Sequence, residues 1–351
     1  MNTSILTYRY RVKGGASNRR LNLLAPAVNM VWNYSNAISF KAIRDYSKWM
    51  SKIDLQELVR GSSKELDINS QTVQAICHEY VNKRIQFKKR KLRWRVSQGS
   101  QRSLGWVPFN GQTIKVAGNK VRYNGQDYKF WNTREMPNHP KCGSFSQDSQ
   151  GYWYVNFVVE APVVETRHSV EDIGGDLGLK ETAVFSDGTR IENQQIFRQQ
   201  EAKLGGFQRH HKKKQARKLA ARIKNIRLDF AHKMTLKLVK KYQILFIGNV
   251  SGKFLQATNG KSSQDASIGM FRQILSYKAV RHQGRVVNVS EFASTITCSN
   301  CFEKNGPSGL IDLGVREWTC NQCHAHHDRD INAARNILRV GRDSLRAVKS
   351  A

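Results

Sequence analysis

Two pairs of cysteines near the C-terminus constrain the fold of this chain more than any other feature. Cys298 and Cys301 form one CxxC pair, Cys320 and Cys323 form the other, and residues 302–319 separate them. Each CxxC turn directs two thiolates at one ion, and this spacing is typical of a four-thiolate zinc ribbon. Residues 309–318, between the two pairs, are expected to form the hairpin of that ribbon. We therefore expect a structural Zn²⁺, because four thiolates leave no open position for catalysis. A redox dithiol is the alternative.

The remaining cysteines favour a reducing compartment. Cys77 and Cys142 stand apart from the two pairs, which suits metal binding better than disulfides. Glycine commonly follows the second cysteine of such a knuckle, because the backbone turns sharply there. Phe302 and His324 occupy those two positions in this chain, and we expect them to weaken the ribbon without abolishing it.

The charge of the chain points to a polyanionic partner. Its 351 residues include 58 Lys and Arg against 27 Asp and Glu, for a formal net charge of +31. Such a protein is expected to bind nucleic acid with a steep dependence on salt. The first 15 residues contain no apolar h-region of signal-peptide length, and no window approaches the ~20 apolar residues that a membrane helix requires. We expect a cytoplasmic, nucleoid-associated prokaryotic protein with no membrane partner.

The pattern of elements predicts a sheet interrupted by helices. Residues 3–12 alternate like a strand, residues 16–97 show helical spacing of apolar residues, and residues 104–160 contain short β-rich runs between turns. The economical topology is a β-barrel with a helical insertion. A second half opens after Ala161-Pro162.

Two basic segments are candidates for nucleic-acid contact. In the first, residues 83–95, Lys and Arg residues are interleaved with Phe87 and Trp94, and aromatic rings can stack on bases. In the second, residues 203–240, a basic helix around 209–224 is expected to contact phosphate. A solvated basic surface is the alternative for both segments. The candidate residues are Lys83, Arg84, Lys88, Lys89 and Arg90 in the first, and Lys212, Lys213, Lys214, Arg217 and Arg227 in the second.

Three aspartates stand out because carboxylates are scarce. Asp176 lies in IGGDLGLK, at the expected end of a strand, and Asp328 and Asp330 lie in HDRDINAARNIL, just before an expected helix. Two-metal nucleases need two or three carboxylates that converge on a pair of Mg²⁺ ions. Taken singly, Asp176 is more typical of a turn than of a metal site, and the other two are more typical of a helix cap.

Together these motifs resemble a known family. GGDLGLK, the run Arg227–Lys233, the CxxC pairs and DRDINAARNIL are similar to the signature of TnpB proteins, insertion-sequence relatives of type V CRISPR nucleases. The resemblance implies an RNA-guided DNA endonuclease that uses Mg²⁺, a guide RNA and double-stranded target DNA beside a short adjacent motif. Base pairing then reads the sequence, and the protein reads duplex geometry and the motif. A monomer and a dimer both remain open.

The resemblance also implies an α+β multidomain fold. It consists of a wedge-type β-barrel with a helical insertion, then an RNase H-like (RuvC) α/β domain interrupted by the four-Cys zinc ribbon. The expected boundaries are 1–15 and 98–165 for the barrel, 16–97 for the recognition insertion, 166–295 and 326–342 for the RuvC domain, 296–325 for the ribbon and 343–351 for a tail.

The resemblance places the catalytic residues with one departure. Asp176 matches the first catalytic aspartate, Asp330 matches the last, and Asp328 is a neighbour or cap. The family ends its middle strand in a glutamate, but Gly248 stands at that point in this sequence. We hypothesise that Glu291, after the next strand, supplies the missing ligand, because adjacent strands lie ~4.8 Å apart.

Two rival functions remain at this stage. A nuclease-inactive guided DNA-binding repressor would keep the basic surfaces and the ribbon and lose the carboxylate cluster. A transposase that joins DNA ends would also use an acidic triad, but without a guide RNA.

Overall fold

The computed structural model describes residues 3–249, 267–308 and 311–350. It divides the chain into two compact units, Thr3–Ala161 and a second unit that begins at Pro162. The division falls at the junction where the sequence predicts the second half to open.

The N-terminal unit contains two antiparallel sheets around one aromatic core. Phe109 packs between Phe145 and Phe157, with ring centroids 5.4 and 6.1 Å away, and residues alternate between buried and exposed along the first and last strands. The predicted barrel strands are therefore present, but they form a four-stranded sheet in the order β1-β7-β6-β2 and a three-stranded sheet, β3-β4-β5. The strands are β1 (Thr3–Arg11), β2 (Trp106–Asn110), β3 (Ile114–Ala117), β4 (Lys120–Tyr123), β5 (Gln126–Lys129), β6 (Cys142–Gln147) and β7 (Trp153–Pro162).

The predicted helical segment lies between β1 and β2. Trp32 packs edge-on against Tyr80 and Trp106, and the side chain of Asn36 exchanges hydrogen bonds with the main chain of Leu92. These contacts fasten the irregular residues 87–105 to the helices. The helices are α1 (Gly15–Tyr46), α2 (Lys52–Leu58), α3 (Ser62–Glu65) and α4 (Ser70–Gln86).

A five-stranded mixed sheet forms the centre of the C-terminal unit. Its order is β10-β9-β8-β11-β12, with β8, β11 and β12 parallel and β9 antiparallel to β8. Apolar runs such as Ile244–Ile247 suit strands that are covered on both faces. The elements are β8 (Val170–Asp176), β9 (Glu181–Phe185), β10 (Arg190–Glu192), α5 (Ile196–Arg209), α6 (Lys213–Lys241), β11 (Tyr242–Gly248), α7 (Ile268–Arg281) and β12 (Arg285–Val289).

The basic helix expected around 209–224 is interrupted. Helix α5 ends at Arg209 and α6 begins at Lys213, and His211 between them has a φ of 52°. That left-handed backbone cannot continue a helix. The long helix α6 buries Leu219, Ile223 and Ala231 on one face, whereas Ile226, which has the same apolar spacing, is 40% exposed.

The ribbon's hairpin differs from the prediction, which assigned it to residues 309–318. Residues 309–310 lie outside the described residues, and the observed pair is β13 (Glu317–Thr319) with β14 (His326–Asp328). The second CxxC pair thus forms the turn of this hairpin. Phe302 and His324, which replace the expected glycines, have φ values of 70° and 57°, so both knuckles adopt the turn that glycine would favour.

The expected tail is instead helical. Helix α8 (Arg329–Ser350) continues through residues 343–350, and Leu345 packs against the apolar cluster of Phe246, Val289 and Ile337. The apolar contact extends the helix beyond the predicted boundary at 342.

Glycine at position 174 lets α8 lie directly on the sheet. A Cβ at Gly174 would collide with the carbonyl oxygen of Ala334 and lie 2.7 Å from the Cβ of Leu338. We expect Gly174→Ala to lower the free energy of unfolding by about 2 kcal/mol, because overpacking forces helix and sheet apart. Thermal unfolding of the full chain measures this effect.

The matched control is Gly206→Ala in helix α5, where an added Cβ meets no atom within 4 Å. This variant should be about 0.5–1 kcal/mol more stable than the parent, because alanine favours a helix over glycine. Equal melting temperatures for the two variants would contradict close packing at Gly174.

Candidate functional site

Asp176 lies at the carboxyl edge of the five-stranded sheet, where it ends β8. Gly175 pairs with Ile247, and Gly248 pairs with Val289, so Asp176, Gly248 and Val289 stand level on three adjacent strands. Such strands are ~4.8 Å apart. Side chains that follow these positions can therefore meet at one edge.

The side chain of Glu291 occupies the space beside Gly248. Glu291 lies two residues after the end of β12, and a Cβ on Gly248 would collide with its Oε1 and lie 2.5 Å from its Cγ and 2.6 Å from its Cδ. The absence of a side chain at position 248 thus makes room for Glu291. The structure brings Glu291 to the strand end where the sequence comparison expected a glutamate.

The beginning of helix α8 separates the roles of two aspartates. Asp328 Oδ1 accepts hydrogen bonds from the backbone N–H groups of Asp330 (3.0 Å) and Ile331 (2.9 Å), while Oδ2 accepts one from Arg190 (2.7 Å). Asp328 is therefore the helix cap, one of its two predicted roles. Asp330, in the first turn, keeps its carboxylate partly accessible, 3.6 Å from Arg316.

The three carboxyl groups interact electrostatically. Burial, together with the nearby charges of Glu291 and Asp330, raises the pKa of Asp176 to about 7 against the opposing effects of Arg329 and the backbone of Leu177. Like charges held together in this way favour a bound cation, since the cation lowers their repulsion. The oxygen atoms of these carboxyl groups are more widely spread than the sulfur atoms of the cysteines. In the described part of the chain, the four cysteines are the only group of three or more His, Cys, Asp or Glu residues whose ligand atoms all lie within 4.8 Å of one another.

The four cysteines form a compact cluster that fits zinc. Cys298 Sγ lies 3.6 Å from Cys323 Sγ, and Cys301 Sγ lies 3.5 Å from Cys320 Sγ. A tetrahedron with Zn–S bonds of ~2.3 Å has edges of ~3.8 Å, close to these distances. The predicted ligands are thus together, and they could hold a zinc ion.

Neighbouring groups lower the pKa of Cys320 and Cys323 and so favour their thiolates. For Cys301, a backbone hydrogen bond from Glu303 favours the thiolate, but burial and the other three cysteines raise its pKa to about 12. Burial opposes ionisation of Cys320, but hydrogen bonds from the backbone N–H of Cys323 and from Asn305 lower its pKa to about 6. The ring of the buried His327 lies 3.0 Å from Cys298 Sγ. Such surrounding groups orient metal ligands, and the sequence reasoning did not identify them.

Most of the Lys and Arg residues that are predicted to contact nucleic acid lie at the surface of the protein. Lys83 is half-buried, with its Nζ 3.6 Å from Glu79, and Arg227 is half-buried and donates to Ser267. The remaining candidates are exposed, namely Lys88, Lys89, Arg90, Lys212, Lys213, Lys214 and Arg217.

Arg84 is the exception and corrects the prediction. It is only 3% exposed, and its guanidinium donates to the main-chain oxygen of Met50 (2.6 Å) and to Ser39 Oγ. Because those bonds lie inside the helical segment, Arg84 stabilises the packing of that segment and is not available to a nucleic acid.

A basic surface that the sequence reasoning missed follows β1. Arg9 stacks over Tyr154 (3.8 Å), Arg11 over Tyr152 (3.8 Å) and Lys13 over Trp131 (3.9 Å). We call these three pairs the cation–aromatic ladder. The alternation of cations in RYRVK could have revealed one side of it, but the aromatic partners come from distant residues.

No helix in the described ranges is both long and apolar enough to cross a bilayer.

Comparison with known proteins points to one family. The profile described as "Cas12f1-like, TNB domain" matches residues 269–337. A putative RNA-guided DNA endonuclease of Streptomyces pristinaespiralis is 33% identical over 227 residues, 60% of this chain and 55% of that protein. The chain thus spans about half the length of that relative. The putative RNA-guided DNA endonuclease InsQ of Escherichia coli is 25% identical over 329 residues, 84% of this chain and 78% of that protein.

The fold is similar to that of a solved complex. A Cas12f1 chain, solved as a complex with sgRNA and target DNA, aligns with a TM-score of 0.60 and covers 96% of this chain and 99% of that one. Sequence identity is 10%, so this likeness concerns the mixed α+β fold alone.

The raised pKa of Asp176 predicts a pH-dependent stability. The folded protein binds this proton with a pKa of about 7, whereas the unfolded chain has the ordinary value of ~3.9. The folded state therefore holds more protons between these values, and its stability falls as pH rises through them. Without added divalent ions, Asp176→Asn should raise the melting temperature more at pH 8 than at pH 5.

Asp229→Asn is the control for this comparison, since Asp229 is exposed and paired with Lys233. It should change the melting temperature little at either pH. An equal gain for Asp176→Asn at both pH values would show that Asp176 has an ordinary pKa.

Proposed function

We propose that the chain is a member of the TnpB family and an RNA-guided DNA endonuclease. A guide RNA pairs with one strand of double-stranded target DNA beside a short adjacent motif, and the protein cuts the DNA. The similarity to putative RNA-guided DNA endonucleases of Streptomyces pristinaespiralis and Escherichia coli supports this activity. In such a division of labour the protein reads duplex geometry, and base pairing reads sequence.

We assign the cutting site to an RNase H-like (RuvC) domain in the C-terminal unit. The strand order β10-β9-β8-β11-β12, with β9 antiparallel, supports this assignment. The zinc ribbon is inserted between β12 and helix α8. By the same resemblance, the sheets and helices of the N-terminal unit would hold the guide scaffold and the adjacent-motif duplex.

Asp176, Glu291 and Asp330 would hold the catalytic Mg²⁺. Carboxylate oxygens are the ligands that Mg²⁺ prefers, and a cation would offset both the burial of the Asp176 charge and its repulsion by Glu291 and Asp330, the two causes that raise its pKa. Bound Mg²⁺ supplies an activated water and stabilises the leaving oxygen of the phosphodiester. The protein's contribution is to hold these carboxylates at one sheet edge, with Arg316 and Arg329 beside them.

One observation favours an enzyme over a guided repressor. The Glu291 side chain fills the space beside Gly248, so the departure from the family pattern at 248 is matched by a carboxylate from the next strand. A repressor that had lost its metal ligands would have no need to keep this arrangement together with Asp176 and Asp330. The transposase alternative has no specific observation in its favour.

The four cysteines would hold Zn²⁺ in a structural role. Four thiolates fill a tetrahedral ion, so the ribbon does not take part in cutting. Its position between β12 and α8 makes it a connection between two parts of the catalytic site.

Nucleic acid would contact two basic surfaces. The exposed start of α6, with Lys212, Lys213, Lys214 and Arg217, can track phosphates. The cation–aromatic ladder offers fixed charges that are stacked on rings, and guide RNA is its proposed ligand.

Guided cleavage with exchanged glutamates tests the function. The full-length protein is purified with its guide RNA and incubated in Mg²⁺ with plasmid that carries the target and adjacent motif. The parent should cut, whereas Asp176→Ala and Glu291→Gln should each lose at least about 100-fold in rate, because each removes a metal ligand. The double variant Gly248→Glu/Glu291→Ala should recover part of that loss, since it returns the glutamate to the adjacent strand and removes the side-chain atoms that would collide with it.

The outcomes separate the candidate functions. Glu291→Gln cutting like the parent would rule out Glu291 as a ligand. Guided binding by the parent without any cutting would instead establish the repressor. Single Gly248→Glu is the internal control: it should not exceed the parent, because its side chain collides with Glu291.

The ladder makes a separate prediction about guide RNA. Arg11→Ala should weaken RNA binding and lower the slope of log K against log salt by about 1, as expected when one phosphate contact is lost. Arg44→Ala removes the same charge from an exposed residue that is paired with Asp45, and it should leave the slope unchanged. Equal effects of the two variants would show that only net charge matters.

A further inference from the structure

Glu291 is not positioned by the sheet itself. Strand β12 ends at Val289, so the hydrogen-bond ladder that fixes Asp176 on β8 does not extend to Glu291. The segment after it is also strained, since Ala293 has a φ of 59°, in the region that non-glycine residues avoid. Another contact must therefore hold the backbone that carries this side chain.

Helix α8 supplies that contact through two buried asparagines. Asn336 Nδ2 donates to the main-chain oxygens of Ser294 (2.9 Å) and Thr297 (2.6 Å). Asn332 Nδ2 donates to Thr297 O at 2.8 Å. Both asparagines are almost completely buried, at 0% and 2% exposure for Asn332 and Asn336.

The same asparagines link this segment to Glu291 on one side and to the first zinc knuckle on the other. On one side, the N–H of Ser294 donates to the carbonyl oxygen of Glu291 (3.1 Å), so the clamped backbone closes a turn that begins at Glu291. On the other side, Asn332 Oδ1 accepts the N–H of Ser299 (2.8 Å), inside the first zinc knuckle. One helix face thus fixes the chain from the candidate carboxylate to the knuckle.

It is less economical to explain Asn332 and Asn336 by the packing of helix α8 alone. Asparagine is a poor helix former, and a buried amide costs free energy where one of its polar atoms lacks a partner, as Asn336 Oδ1 does among the described residues. Apolar residues would pack helix α8 without that cost. The asparagines are accounted for by the loop carbonyls that they bind, and that loop includes Glu291.

We propose that Asn332 and Asn336 form a clamp that positions Glu291 for metal binding, an inference that rests on the proposed role of Glu291. The asparagines do not touch the metal or the DNA. They act through the backbone of residues 294–297, and the same helix places Asp330 in its first turn. Helix α8 therefore sets the distance between two of the three carboxylates.

The test measures metal binding directly, without guide or target. Mn²⁺ is titrated into the full-length, zinc-loaded protein, and free Mn²⁺ is followed by electron paramagnetic resonance. Asn336→Ala should weaken Mn²⁺ binding about tenfold, as is typical when a group that orients a metal ligand is lost. In a Glu291→Gln background the same substitution should cause no further weakening, because the clamp acts through Glu291.

Two controls separate this effect from a general loss of structure. Zinc content should stay equal to that of the parent, which shows that the ribbon is intact. Asn36→Ala removes a comparable buried asparagine from the N-terminal unit, where it binds the main chain of Leu92, and Mn²⁺ binding should be unchanged. If Asn336→Ala loses zinc or does not fold, Asn332→Ser provides the measurement, with the same expected direction.

The outcomes distinguish the clamp from the ligand assignment. If Glu291→Gln weakens Mn²⁺ binding and the clamp variants do not, the clamp is overturned and the ligand stands. The clamp is also overturned if Asn336→Ala weakens binding equally in both backgrounds. If Glu291→Gln binds Mn²⁺ as the parent does, the ligand assignment fails and the clamp fails with it.

Discussion

Repulsion among three carboxyl groups is the constraint around which the C-terminal unit is built. Asp176 has its pKa raised to about 7 by burial and by Glu291 and Asp330, so the fold holds these groups together against a free-energy cost. Three elements hold the carboxyl groups in place against this cost: strand β8, the turn after β12, and the first turn of α8. The buried Arg329, whose Nη1 donates to Asp312 O (2.6 Å), opposes part of the repulsion. A rigid, partly compensated cluster is what a cation site requires.

Close packing of α8 on the sheet makes this arrangement possible. Gly174 in β8 and Gly341 in α8 bring the helix against the sheet, since a Cβ at either would overlap neighbouring atoms. The same helix binds the loop from Ser294 to Thr297. The position of the helix therefore determines the position of two candidate ligands, and small residues far from the chemistry govern the geometry of the site.

Sequence reasoning succeeded where the signal is local. The CxxC spacing predicted the four-cysteine cluster, the pattern around Asp328 predicted its capping role, and apolar periodicity located the helical segment before Trp106. It failed where contacts with residues distant in the sequence determine the structure. Arg84 is buried by Met50 and Ser39, the expected tail is helical because Leu345 finds an apolar cluster, and the aromatic partners of β1 come from residues 131–154. No local pattern contains those contacts.

The exchange between positions 248 and 291 shows how long-range geometry alters a motif. A glutamate at 248 would extend from a strand end that the ladder fixes, whereas Glu291 extends from a turn that needs its own support. The two cannot coexist with Glu291 in its observed position, because a Cβ at 248 would overlap the Glu291 side chain. Under the proposed function, the glycine is therefore as necessary as the glutamate. At position 248 the strand itself would hold the glutamate in place. At position 291 the asparagines of α8 hold the turn that carries it.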